Sequence, residues 1–72
     1  MEELYYFAVL ERKNIWSIWT DNLSFAKGMV RETAREHGEC DLLAYRGDDC
    51  VEITSYAWQD GKLVHLYTIK DD

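Results

Sequence analysis

No proline interrupts this chain of 72 residues, and only four glycines loosen it. Without either, and without a low-complexity run or an internal repeat, neither a linker nor a disordered segment is expected. Cysteine is scarce as well. Cys40 and Cys50 are the two present; they could form one disulfide, but in a composition of cytosolic type they are read as free core thiols. Basic residues are outnumbered, eight Lys and Arg against fourteen Asp and Glu, for a net charge of −6. A general binder of the phosphate backbone draws its affinity from Lys and Arg, so that class is disfavoured. A basic partner, or solubility alone, accounts for the charge. No long apolar run exists: Leu4 to Leu10 is too short to span a bilayer and lacks the basic flank of a signal peptide. The expectation is one cytoplasmic domain over residues 1–72, with no membrane contact.

What is abundant is aromatic side chain, 14% of residues within an apolar fraction of 47%. Each buried ring removes roughly 150–250 Å² from water, which offsets the small size of the chain. Leu4–Glu11, "LYYFAVLE", is aromatic and β-branched enough for a strand. "RKN" supplies a turn, and Ile15–Thr20 returns as a second strand. Asn22 is the expected N-cap of a helix over "LSFAKGMVRETAREH". Leu23, Ala26, Val30, Thr33, Ala34 and His37 share one arc, widened by Phe25 and Met29. Lys27, Arg31 and Arg35 form a basic stripe on the other side, with Glu32 and Glu36 beside them. Gly38 stands where a helix ends, and Gly28 inside the helix is read as tolerated on the solvent side.

Three further strands are expected from "CDLLAYR", "CVEITSYAW" and "KLVHLYTIK". Asp60-Gly61 between the last two is a strong type I′ hairpin signal. It sets a register pairing Gln59 with Lys62, Trp58 with Leu63, Ala57 with Val64, Tyr56 with His65, Ser55 with Leu66 and Thr54 with Tyr67. One face then carries Val51, Ile53, Ser55, Ala57, Val64 and Leu66, small and aliphatic, over which the helix is expected to sit. The other carries Glu52, Thr54, Tyr56, Trp58, Leu63, His65 and Tyr67. The fold class is therefore α+β, a largely antiparallel sheet of four to five strands with one helix on one face, in the order β-β-α-β-β-β.

Strand alternation divides Trp16 and Trp19 between opposite faces, so one tryptophan is expected on the uncovered side. Tyr56, Trp58, His65, Tyr67 and Trp16 are accordingly the candidate protein-contact residues, since an uncovered aromatic patch usually marks a contact surface. Asp48, Asp49 and Glu52 are the candidate electrostatic contacts.

Chemistry is sparse. His37, Cys40, Cys50 and His65 amount to four zinc ligands, but at no recognised spacing, so no metal is expected. Asp48, Asp49 and Glu52 with His65 provide an acid and a base, yet no nucleophile motif or phosphate loop accompanies them. No catalytic residue and no cofactor is expected. Sheet aromatics also serve single-stranded RNA binders, which place basic residues beside the rings; the open face here offers acids.

"WTDNLSFAKGMVRETAREHG" followed by "YAWQDGKLVHLY" resembles the layout of small phage-encoded anti-CRISPR proteins directed at type I effector complexes. The likeness lies in short acidic chains that join strands, one Ala-containing helix and a closing hairpin with a "DGK" turn. It covers about two-thirds of the chain and carries no functional residue, because the family shares no single fold or site. It implies an inhibitor that occupies a basic nucleic-acid-binding or nuclease-recruiting surface of a host CRISPR-Cas complex, within the host cytoplasm. The alternatives are a toxin-neutralising or housekeeping interaction module and, third, a single-stranded RNA binder through the sheet aromatics; the heavy Trp and Tyr content departs from the resemblance and fits a homodimer closed by the sheet.

Overall fold

A computed structural model describes residues 3–70. Its elements run β1 (Leu4–Leu10), a 3-10 turn (Glu11–Lys13), β2 (Ile15–Trp16), α1 (Leu23–His37), β3 (Glu39–Arg46), β4 (Asp49–Gln59) and β5 (Lys62–Lys70). The strands form one antiparallel sheet in the order β2-β1-β3-β4-β5, with α1 against one face. This is the α+β architecture read from the sequence, and "CDLLAYR" lies in its central strand.

Local chemistry explains most of the boundaries. The Asn22 side chain accepts a hydrogen bond from the Phe25 N–H at 3.0 Å, capping the first turn of α1. Gly38 ends the helix in the left-handed conformation, its N–H donating to the Ala34 carbonyl. Asp60 and Gly61 have φ of 52° and 77°, the two positive values a type I′ turn requires. The hairpin register follows as expected from Gln59↔Lys62 to Tyr56↔His65.

Beyond that point the expected register fails by one residue. Ser55 pairs with Tyr67 rather than Leu66, and Thr54 with Thr68, because Leu66 is an extra residue bulged out of β5. An odd insertion reverses the alternation, so Tyr67 leaves the face of His65. A second bulge at Val51 separates Ala44↔Glu52 from Tyr45↔Cys50.

The helix covers the face opposite to the expected one. Ala26, Val30 and Ala34 are fully buried against Ala8, Cys40 and Leu42, with Tyr6, Tyr56, Trp58 and Leu63 packed around them. Small residues do mark the seat of the helix, but they lie on β1 and β3 rather than on β4 and β5. Tyr56 and Trp58 of β4 pack against the flank of this cluster. Ile53, Ala57 and Val64 therefore belong to the uncovered face.

Two substitutions test this seating. A Cβ at Gly28 meets nothing within 4 Å, so Gly28→Ala raises stability by about 1 kcal/mol. Ala34→Leu forces extra volume into the seam and lowers stability by about 1–3 kcal/mol. In a thermal melt each kcal/mol moves the Tm of so small a domain by roughly 4–8 °C.

Candidate functional site

The uncovered face is built from alternate residues. On β1 these are Tyr5, Phe7 and Val9, and on β3 Glu39, Asp41, Leu43 and Tyr45, the register pairing Tyr5 with Tyr45 and Phe7 with Leu43. Trp16 pairs with Val9 and joins the same face. Trp19 joins it too, which simple alternation forbids. The reason is local. Ser17 donates its N–H to the Ala8 carbonyl, but its hydroxyl rather than its carbonyl accepts the Ala8 N–H, at 2.8 Å. Pairing resumes at Tyr6↔Thr20. Two steps along β1 are thus matched by three along the returning chain, and the extra residue turns Trp19 over to the side of Tyr5. The second strand is consequently only Ile15–Trp16, not Ile15–Thr20.

The result is a chain of rings meeting nearly at right angles. Tyr5 and Trp19 have centroids 5.1 Å apart with planes at 80°. Phe7 meets Trp16 at 5.7 Å and 73°, and Tyr45 at 5.4 Å and 81°. These are favourable edge-to-face pairs, yet they leave Trp16 50% and Trp19 59% exposed. Together the rings line a recess of about 540 Å³ whose rim includes Gly47 and Asp48. Gly47, with φ of 60°, takes the first central position of the two-residue β3–β4 turn and so sets Asp48 at the edge of the recess. Across the same face towards β5, Leu43 pairs with Ile53 and Ile53 with Ile69, while the exposed Tyr67 sits opposite Ser55.

The expected site residues therefore divide. Trp16 and Tyr67 lie on the uncovered face, and Asp48 and Asp49 are exposed at the turn beside it. Tyr56, Trp58 and His65 do not; they are on the helix side, because the helix seats on the small residues of β1 and β3 and so covers their face. Glu52 is there as well. Tyr5, Phe7, Trp19 and Tyr45 are the contact candidates that alternation missed, although "YYF" already places Tyr5 and Phe7 on one side of a strand.

The helix side holds a smaller polar cleft of about 300 Å³, lined among others by Lys27, Glu52, Thr54, Tyr56, His65 and Thr68. His65 Nε2 shares a 2.8 Å hydrogen bond with the Thr68 hydroxyl, which donates to Thr54, which donates to Glu52. Burial, reinforced by the Glu52 carboxylate, pushes the Tyr56 phenol above its ordinary range. Glu52 and His65 are thus linked through two threonines, and Asp48 and Asp49 stand apart at the β3–β4 turn. Among the described residues, His37, Cys40, Cys50 and His65 included, no group of three or more His, Cys, Asp or Glu is placed to hold a metal. Both cysteines are free. Burial pushes the Cys40 thiol up to about 11, against the weaker opposing effect of backbone hydrogen bonding at Val9. The basic stripe Lys27, Arg31 and Arg35 is exposed on α1, Arg35 being paired with Glu32 at 2.6 Å. No helix among the described residues is long and apolar enough to cross a membrane.

Neither a family model nor a curated protein nor a solved structure matches this chain.

Two experiments check these placements. Trp58→Ala removes a ring packed against the helical core and lowers unfolding free energy by about 3 kcal/mol. Tyr67→Ala, on the uncovered face, stays within about 0.5 kcal/mol of the parent, both read by denaturant titration. For the thiols, the native chain holds the Cys40 proton where the unfolded chain, with the ordinary value of 9.0, releases it. The associated stability is present below pH 9 and is lost as pH rises through about 11. Stability followed across that window falls, and less steeply in Cys40→Ala; below pH 9 a thiol reagent modifies Cys50 well before Cys40.

Proposed function

We propose that the chain is a non-catalytic protein-binding inhibitor that docks through its uncovered sheet face onto a basic, partly apolar surface of another protein. The observation that carries this reading is the uncovered face itself, with Tyr5, Trp16, Trp19, Tyr67 and Ile69 at the surface of a chain of net charge −6. A contact of ordinary size removes about 800 Å² from each partner. Aromatic side chains are the commonest energetic anchors of such contacts.

Charge selects the kind of partner. A face bordered by Asp48 and Asp49 attracts lysine- and arginine-bearing surfaces, and nucleic-acid-handling proteins present those in quantity. Occupying one blocks access of the nucleic acid. The layout shared with anti-CRISPR proteins makes a type I CRISPR-Cas effector complex the first partner to test, in the cytoplasm of the host. A homodimer through the sheet brings two acidic chains together and is the less favoured use of the same face.

The test is a mobility-shift assay of a purified type I effector complex on its target DNA, with the chain added at stoichiometric amounts. Inhibition is expected, and Trp19→Ala and Tyr67→Ala weaken it without altering the thermal melt. By surface binding kinetics the association rate falls by about tenfold as salt rises from roughly 50 to 500 mM. Asp48→Lys with Asp49→Lys slows association more than it speeds dissociation. An unchanged shift excludes the effector complex as partner; a salt-independent association rate with any partner overturns the electrostatic reading. Sedimentation of the free chain as a dimer that the Tyr67→Ala change dissociates assigns the face to self-association instead.

A further inference from the structure

The geometry points to a specific ligand for the aromatic recess: the guanidinium of an arginine side chain, presented by the partner that the proposed docking requires. This inference rests on that docking and names the group on which it turns. The first argument is the arrangement of rings. Tyr5 with Trp19, Phe7 with Trp16 and Phe7 with Tyr45 meet at 73° to 81°, so the rings form floor and walls rather than a flat platform. A cation held within ~6 Å of several ring faces is attracted by each quadrupole. A purely apolar guest gains nothing comparable from this arrangement.

The second argument is charge. Asp48 is part of the recess itself. The adjoining hollow, which shares Tyr5 and Asp48 with it, is lined by Glu3 and Asp49 and by one base, Arg46. Three carboxylates against one guanidinium leave the rim with an excess of negative charge. Arg46 lines the neighbouring hollow but not the aromatic recess.

The third argument separates the cations. A quaternary ammonium is held best in a cage closed on most sides, whereas this recess is a broad hollow in a sheet surface. A guanidinium is planar and weakly hydrated. It stacks on one ring while its N–H fork reaches a carboxylate at the edge. A lysine ammonium is compact and strongly hydrated, and gives up more solvation on entering. A nucleobase would stack on the same rings, but it would bring a phosphate towards Asp48 and Asp49.

The experiment titrates N-acetyl-arginine-methylamide into the full chain and follows the three tryptophan indole N–H signals by NMR. Trp58, packed on the helix side, serves as the internal reference. The expected result is saturable movement of the Trp16 and Trp19 signals in the millimolar range, with Trp58 still. The neutral citrulline analogue, of the same shape, binds roughly tenfold more weakly, and the lysine analogue falls between them. Asp48→Asn, an exposed turn position that leaves the fold intact, and Trp19→Leu each weaken arginine binding severalfold. Equal binding of citrulline and arginine, or movement of Trp58 alone, overturns the assignment. So does an oligouridylate that moves Trp16 and Trp19 at lower concentration than the arginine analogue, which would make the recess a base-stacking site. The two readings fail separately. Loss of effector inhibition without loss of arginine binding refutes the partner, and inhibition that persists in Asp48→Asn and Trp19→Leu together refutes the arginine recess.

Discussion

One helix of 15 residues cannot cover both sides of a five-stranded sheet, and everything distinctive about this domain follows from which side it takes. The choice is made by the seam of Ala26, Val30 and Ala34 meeting Ala8, Cys40 and Leu42. Three helical positions with small or β-branched side chains let the helix axis come close to the central strands, where dispersion contacts are densest. The larger Tyr6, Tyr56, Trp58 and Leu63 then close the flanks. With those rings engaged, the other side keeps Tyr5, Phe7, Trp16, Trp19 and Tyr45, and no helix among the described residues lies over them.

Much of the fold was legible from residue order. Asn22 as N-cap, Gly38 at the helix end and Asp60-Gly61 in the turn each announce a backbone conformation that few other residues accept. The periodic run between Asn22 and Gly38 needed no tertiary information to be recognised as a helix. What strict alternation could not supply was parity. Ser17, Val51 and Leu66 each sit at an irregularity that adds a residue to one side of a ladder. Alternation assumes a count of two, and each insertion reverses every side chain beyond it. Tyr67 reached the open face for this reason, and Trp16 and Trp19 came to share a side despite an odd spacing.

The site was less legible than the fold, and for a related reason. Tyr56, Trp58 and His65 looked like an open patch because the helix was expected over the aliphatic face of the final hairpin. Close packing does need small residues, but the ones that matter belong to β1 and β3, the strands directly under the helix axis. Judging the hairpin alone hid that comparison. Ala8, Cys40 and Ala44 on alternate positions of two different strands were the available signal, readable once β3 is placed beside β1. The same pairing places Tyr45 beside Tyr5 and Phe7.

An exposed apolar face is a hazard for any chain that is also a sheet with free edges. Here the hazard is opposed at three levels. The outer strand β5 is bent at Leu66 and carries Lys62 and Lys70 at its ends, which hinders edge-to-edge growth. At the other edge β2 is two residues long, offering little backbone to template another strand. A net charge of −6 repels a second copy over a distance of about one Debye length, roughly 8–10 Å. These features discourage like from meeting like while leaving the face open to an oppositely charged surface. On the proposed reading, self-repulsion and attraction to a basic partner arise from the same carboxylates. Neutralising Asp48 or Asp49 then weakens both at once, so that self-association and the proposed partner choice depend on one charge distribution.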